Sequence, residues 1–369
     1  RGLGDVYKRQ RDESIDMIYD SANLAAKKCK GNYITNYEYY DESMRKQLIQ
    51  EQMIVNEMAQ ALEEEQFVLY VQPKYEIRHE ELVGGEVLVR WKHPVRGMIS
   101  PGMFIPVFER NGFISKLDYY VWEHTCMMIR DWLKEGLKPY PVSVNISRVS
   151  LYNPKLPEQI IELVKKYNIP AEYIQFELTE SAYTSNPEQI KKAMKELQNY
   201  GFKILMDDFG SGYSSLNVLK DITVDILKLD MRFMVDGTSD NRGENILASV
   251  VRMAKWLEMP VIAEGVEKKQ QVEFLRSVGC EYVQGFYYAK PMPVDEYEKK
   301  VMSEKKSNFV PSLKSGSNLL DKNGFINTDS IINILFSDLV QAIAIYEYDG
   351  SDIFLIRCLL YTSPSPRDS

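Results

Sequence analysis

The chain has 369 residues, 44% of them hydrophobic and 27% charged, with a formal net charge of −8. That composition is globular, and its acidity argues against a nonspecific binder of duplex DNA or RNA, which needs a basic surface. No apolar run approaches the ~18 residues that a transmembrane helix needs.

The two ends are set aside first. Back-translated, Arg1–Gln10 gives a DNA whose reverse complement, in a shifted frame, encodes Cys358-Leu359-Leu360-Tyr361-Thr362-Ser363-Pro364-Ser365-Pro366. Residues 1–10 and 358–369 are therefore expected to be adapter-derived scars. Taking away their four basic and two acidic residues moves the charge from −8 to −10. Cys29, Cys126 and Cys280 then remain, far apart and without a CxxC pair, which points to a reducing cytoplasm. Membrane attachment of a longer protein is left open. His79, His93 and His124 have no metal-ligand spacing and read as structural or surface residues.

From residue 11 to 41, the run Ile18–Lys28 has helical apolar spacing. This piece resembles the last helix and strand of a GGDEF (diguanylate cyclase) domain, without that family's signature. Residues 42–65 form a charged amphipathic helix with Met53, Ile54, Met58 and Leu62 on one stripe. It reads as a plain connector or as a signalling helix between domains.

Residues 66–302 alternate strand-like and helix-like patterns. Strands are expected at 67–72, 82–91, 142–146, 174–178, 203–206, 226–229, 261–263 and 282–284. Helices are expected at 117–133, 157–167, 187–200, 246–257 and 270–278. Prolines stand at the starts of the second and third of these, and glycines follow the third and fifth. Eight strands separated by helices predict an α/β fold, a TIM-like (β/α)8 barrel, with partial domains on either side. Residues 303–325 read as a polar linker. Residues 326–357 read as the start of a further sensory domain, PAS-like in pattern.

Seven successive strands carry a polar or charged residue at or near the C-terminal end: Glu86, Asn145, Glu177, the pair Asp207-Asp208, Lys228, Glu264 and Gln284. In a barrel those ends converge on one mouth, where active sites sit. Glu86, Glu177, Asp207, Asp208 and Glu264 bring five negative charges there. Two divalent cations plus Lys228 would balance them, and oxygen ligands without Cys or His favour Mg²⁺ or Mn²⁺. Asn145 fits as a neutral oxygen ligand. Adjacent Asp207 and Asp208 point to opposite faces of a strand, so both reach one metal pair only if the strand ends there, with Gly210 and Gly212 permitting the turn. A two-metal site suits attack of an activated water on a phosphodiester.

The same residues lie in a series of motifs. These are Tyr70-Val71-Gln72-Pro73, Glu86-Val87-Leu88-Val89-Arg90-Trp91, Phe104-Ile105-Pro106, Asn145-Ile146-Ser147 and Glu177-Leu178-Thr179-Glu180. They continue with Asp207-Asp208-Phe209-Gly210-Ser211-Gly212-Tyr213-Ser214-Ser215, Lys228-Leu229-Asp230, Glu264-Gly265-Val266-Glu267 and Gln284-Gly285-Phe286. In this order they resemble the EAL phosphodiesterases, which hydrolyse cyclic di-GMP to linear pGpG. Val87 stands where the family usually has alanine. The resemblance implies one metal held by Glu86, Asn145, Glu177 and Asp207, and a second held by Asp207, Asp208 and Glu264, with Asp207 bridging. It implies that Lys228 orients or helps to deprotonate the attacking water, that Gln284 and Arg90 position ligand or water, and that Glu180 anchors the loop Phe209–Ser215. In the family that loop links the site to a homodimer.

Three assignments stay open on the residues themselves. Arg90 matches a phosphate with its planar fork, or stacks beside Trp91. Gln72 contacts ligand or packs in the core. Glu267 faces the site or caps a helix. The alternative activity is a catalytically silent cyclic di-GMP receptor. A barrel enzyme acting on another phosphate ester or an enolisable acid fits the motif order poorly.

Overall fold

The computed structural model describes residues 15–29, 37–185, 187–210, 224–231, 242–303, 343–348 and 353–359. The expected scar at 1–10, residues 304–325 of the expected linker and most of the loop after Phe209 lie outside them. The chain divides into two units, Arg1–Phe309 and Val310–Ser369.

The first unit is built on strands β1 (Phe67–Glu76), β2 (Leu82–His93), β3 (Gly97–Ile99), β4 (Val142–Asn145), β5 (Ile174–Thr179), β6 (Lys203–Phe209), β7 (Ile226–Asp230), β8 (Val261–Glu264), β9 (Tyr282–Gln284) and β10 (Met292–Pro293). Eight of them close a barrel in the order β1-β2-β4-β5-β6-β7-β8-β9, with β1 meeting both β2 and β9. All eight expected strands are present. One expectation changes: β1 runs antiparallel to both neighbours, whereas the rest of the ring is parallel. Only residues 77–81 join β1 to β2, too few for a crossover helix, so the pair forms a hairpin.

The helices follow from apolar spacing. They are α1 (Ile15–Cys29), α2 (Glu42–Glu63), α3 (Pro101–Asn111), α4 (Ile114–Lys134), α5 (Arg148–Leu151), α6 (Leu156–Tyr167), α7 (Glu180–Ser185) and α8 (Pro187–Tyr200), then Arg242–Trp256, Lys269–Ser277 and Val294–Ser303. On α4 the buried residues Leu117, Val121, Trp122, Thr125, Ile129 and Trp132 recur every three or four positions. Gly201 and Gly279 end their helices at φ of 114° and 78°, backbone that a β-carbon disfavours. Helix α2 is packed on the barrel: Ile54 and Ala61 are buried, and Met53, Met58 and Leu62 lie against the core. His93 is structural, as expected, with Nε2 2.8 Å from Glu57 Oε2 on α2.

Strand β2 is longer than expected. Its outer end pairs with β3, and Trp91 packs with Phe67, Phe104 and Phe108 at ring separations of 5.2 to 6.2 Å. This aromatic cluster fixes the β1–β2 hairpin under α3. Gly85 allows the close approach of the two strands: a β-carbon there would stand 2.5 Å from Val71 Cγ1.

In the second unit, Ile343–Tyr348 and Ile353–Leu359 form an antiparallel pair. The second strand runs two residues past 357, into the stretch expected as a scar.

Candidate active site

The parallel register sets the height of each side chain. Asn145 stands opposite Glu177, Thr179 opposite Asp207, Asp230 opposite Glu264, and Glu264 opposite Gln284. These pairings gather the C-terminal ends of β4 to β9 at one mouth. Glu86 reaches the same mouth by another route: it is the fifth residue of the twelve-residue β2, not its end. It is brought to the site because β2 overhangs the ring, paired with Gln72 of β1 on one side and Ser143 of β4 on the other.

The Asp207-Asp208 pair also departs from expectation. Strand β6 continues to Phe209, and the register slips between Met206 and Phe209. Asp208 takes up the slip at φ 53°, and its N–H donates to Asp207 Oδ1 at 2.8 Å. A bulge with an aspartate in left-handed backbone breaks the alternation, so the strand need not stop for both carboxylates to flank one position. Gly212 lies outside the described residues.

Four carboxylates close on one buried ammonium. Lys228 Nζ lies 3.3 Å from Glu86 Oε2, 3.3 Å from Asp207 Oδ1 and 2.5 Å from Glu264 Oε1, and it donates to Glu177 Oε2. Burial alone would lower the Lys228 pKa, but the charges of Glu177, Glu86 and Asp207 outweigh it and raise it, so the side chain is an ammonium. Burial pushes the Glu177 carboxyl up, and Lys228 and Lys74 together overcome that and hold it at about 2. Asp207 is pushed up to about 6, by burial first, with the charges of Glu177, Glu86 and Asp208 offsetting the pull of Lys228.

An amide network completes this wall. Gln284 Nε2 donates to Glu86 Oε2 at 2.6 Å and to Gln72 Oε1 at 3.1 Å, and Gln72 Nε2 donates to Ala289 O at 3.2 Å. Asn145 Nδ2 donates to Glu86 Oε1 at 3.1 Å, leaving the amide oxygen as the group Asn145 can offer a ligand. Arg90 is half-buried at the rim, with Nη1 on Val89 O at 2.9 Å and Cζ 5.7 Å from the Tyr70 ring. Tyr70, not Trp91, is its aromatic neighbour, because Trp91 is consumed by the cluster under α3. Glu180 Oε2 accepts from Gly210 N at 3.0 Å, at the root of the loop after β6. Glu267 lies just before a helix start, where its backbone N–H donates to Gln271 Oε1 at 2.8 Å.

The donor set suits a hard cation. It consists of carboxylates and amides with no thiolate or imidazole. Five carboxylates, Glu86, Glu177, Asp207, Asp208 and Glu264, stand against two ammonium groups, Lys228 and Lys74, so the cluster carries an excess of negative charge. Gln284 Oε1 is buried without a hydrogen-bond partner, an oxygen placed to accept from a bound group. Among the described residues, no three His, Cys, Asp or Glu stand ready to hold a metal ion. The carboxylates are drawn onto Lys228 instead, the one cation at their centre.

Residues 55–291 match the EAL domain family. The chain belongs to that family. Its EAL domain is similar to the bifunctional diguanylate cyclase/cyclic di-GMP phosphodiesterase MucR of Pseudomonas aeruginosa, 31% identical over 75% of this chain and 40% of that protein. It is similar to the cyclic di-GMP phosphodiesterase NbdA of the same organism, 32% identical over 78% of this chain and 36% of that protein. Among solved structures, the MucR phosphodiesterase in complex with c-di-GMP superposes with a TM-score of 0.63 at 32% identity, covering 66% of this chain and 99% of that one. The chain spans 34% to 40% of the length of these two relatives and of two further curated ones.

Sequence reasoning missed three residues that shape the EAL site. Lys74 of β1 is buried and lies 2.9 Å from Glu177 Oε1. Ser143 of β4 accepts from Lys74 at 2.6 Å. Asp118 of α4 accepts from Ser147 N at 3.0 Å and from Ser150 Oγ at 2.7 Å, just beyond Asn145. Alternation carried a signal for the first two, since Lys74 shares a strand face with Gln72, and Ser143 with Asn145.

Proposed function

We propose that this EAL domain hydrolyses cyclic di-GMP to linear pGpG with two divalent cations, Mg²⁺ or Mn²⁺. The observation that carries the reading is the convergence of Glu86, Glu177, Asp207 and Glu264 on Lys228 at the barrel mouth. The activities for which the relatives MucR and NbdA are named support the same substrate.

Glu86, Asn145, Glu177 and Asp207 would hold one cation; Asp207, Asp208 and Glu264 would hold the other. Bound there, the pair would polarise a phosphate oxygen and lower the pKa of a water. The chain's own groups do the rest. Lys228, kept charged by its carboxylates, donates hydrogen bonds and orients the attacking oxygen. Gln284 holds Glu86 through Nε2 and presents Oε1 to the site. Arg90 offers its fork to a ligand phosphate at the rim, backed by Tyr70. Glu180 anchors the loop after β6. The domain is assigned to the cytoplasm, where the buried free thiols of Cys126 and Cys280 stay reduced, and to a homodimer formed through the EAL domain.

Incubating the chain with cyclic di-GMP across a Mg²⁺ or Mn²⁺ titration tests this, with pGpG followed by chromatography. Glu86→Ala removes a proposed ligand as well as the anchor of Asn145 and Gln284. Loss of a mere supporting group near a metal costs about 10–100-fold, so turnover should fall by more than about 100-fold. Near-parental turnover in Glu86→Ala would sink the assignment. Ligand binding without turnover at any metal concentration would establish a silent receptor instead.

A further inference from the structure

Glu177 is fully buried, and its two oxygens face different lysines. Oε2 accepts from Lys228 at the mouth. Oε1 accepts from Lys74 Nζ at 2.9 Å. Lys74 is itself only 3% exposed. It reaches Glu177 across the barrel from the one antiparallel strand, and it is tied there by a second bond, 2.6 Å long, to Ser143 Oγ. Ser143 Oγ in turn donates to Gly85 O at 3.3 Å, one residue before Glu86. Through this chain β1 is linked to β5 on one side and to β4 and β2 on the other.

None of the roles assigned above uses Lys74, yet a buried ammonium persists only where partners offset its lost hydration. Its partners here are a carboxylate oxygen and a hydroxyl fixed by strand backbone, so its place is determined on two sides. With Oε1 held from behind, Glu177 can turn only one oxygen toward Lys228 and the mouth.

We propose that Lys74 is a positioning residue for the cation site: bonded to Ser143 and to Glu177 Oε1, it makes Glu177 a one-oxygen ligand of fixed direction. This rests on the reading that Glu177 holds a divalent cation. A second role for Lys74, simple neutralisation of an acidic cluster, predicts the opposite sign. Removing a positive charge beside an acidic site strengthens cation binding, whereas removing the group that orients a ligand weakens it.

Mn²⁺ binding to the full chain separates the two, read from the free-ion paramagnetic resonance signal without substrate. Lys74→Met keeps the length of the stem and removes the ammonium. The expected result is binding weaker by about 10–100-fold. In steady-state assays kcat should fall and recover at saturating Mn²⁺, with KM for cyclic di-GMP unchanged. Unchanged or tighter Mn²⁺ binding would overturn the proposal. Should Lys74→Met fail to fold by circular dichroism, Ser143→Ala decides. It leaves both charges in place and removes one tether, so binding weaker by at least about threefold supports positioning, and equal binding overturns it. A parent chain that takes up no Mn²⁺ sinks the cation reading and the proposal together. A parent that binds Mn²⁺ alongside an equally binding Lys74→Met sinks only the positioning role.

Discussion

Gln72 accepts from Gln284 on Oε1 and donates to Ala289 O through Nε2, so both ends of its amide are engaged within the barrel wall. Its sequence admitted two roles, ligand contact or core packing, and the geometry favours a third: Gln72 holds Gln284, which holds Glu86. The two functional outcomes differ in kinetics. A group that touches substrate in the ground state raises KM when removed, whereas a group that orients another one lowers kcat. Gln72→Leu is therefore expected to lower kcat about 10-fold with KM for cyclic di-GMP unchanged. Steady-state rates over a range of substrate check this, and a raised KM at constant kcat would return Gln72 to the ligand. The role of Lys74 is hidden in the sequence. A lysine three residues after Val71 and next to a proline reads as the wet end of a strand, because its carboxylate partner lies 103 positions away on β5.

Helix α4 holds the end of β4 from outside the ring. Trp122 Nε1 donates to Asn145 O at 3.1 Å, and Asp118, one turn earlier, receives the first polar groups of α5. Burial pushes the Asp118 carboxyl up from 3.8 to about 6, against the pull of its Ser147 and Ser150 bonds. A carboxyl raised on folding binds its proton more tightly in the folded chain than in the unfolded one. Its contribution to stability is thus full below about pH 4 and is lost as pH rises through about 6, a difference on the order of 3 kcal/mol. Asp118→Asn keeps an acceptor for Ser147 and Ser150 and cannot ionise. Urea unfolding at pH 4.5 and 7 should show the variant gaining on the parent as pH rises; parallel stability curves would exclude the effect. At this scale the sequence was legible where periodicity has a sign. The eight strands and the α4 stripe follow from apolar spacing, and the mouth follows from polar strand ends. Strand direction was not legible, because a two-residue alternation reads the same both ways, and β1 runs against the rest. Nor was the bulge at Asp208, since a positive φ leaves no mark on an aspartate. The tie between α4 and Asn145 joins residues 23 positions apart through a backbone carbonyl, which no residue pattern encodes.

The EAL match begins at residue 55, inside α2 rather than at β1, and the packing explains why the domain does not start with its first strand. Ile54 and Ala61 are buried against the barrel, and Arg96 Nη1 and His93 Nε2 both meet Glu57 Oε2, at 2.6 and 2.8 Å. The ion pair is partly exposed and contributes little by itself; the apolar contacts carry the docking. Truncating one buried Ile to Ala already costs about 2–4 kcal/mol in a packed core. A helix so attached belongs to the barrel, and its Glu57 contact reaches His93, the last residue of the strand that carries Glu86. Two shortened chains test this. Residues 42–303 keep α2 and omit the second unit; they should retain pGpG formation within about twofold of the full chain and run as a dimer by light scattering. Residues 66–303 also lose α2. For a domain of this size, each kcal/mol shifts the melting temperature by about 2–4 °C, so the shorter chain should melt at least about 5 °C lower. Equal melting temperatures for the two would make α2 a tether beside the barrel, and a signal arriving through it would then have no mechanical route to Glu86.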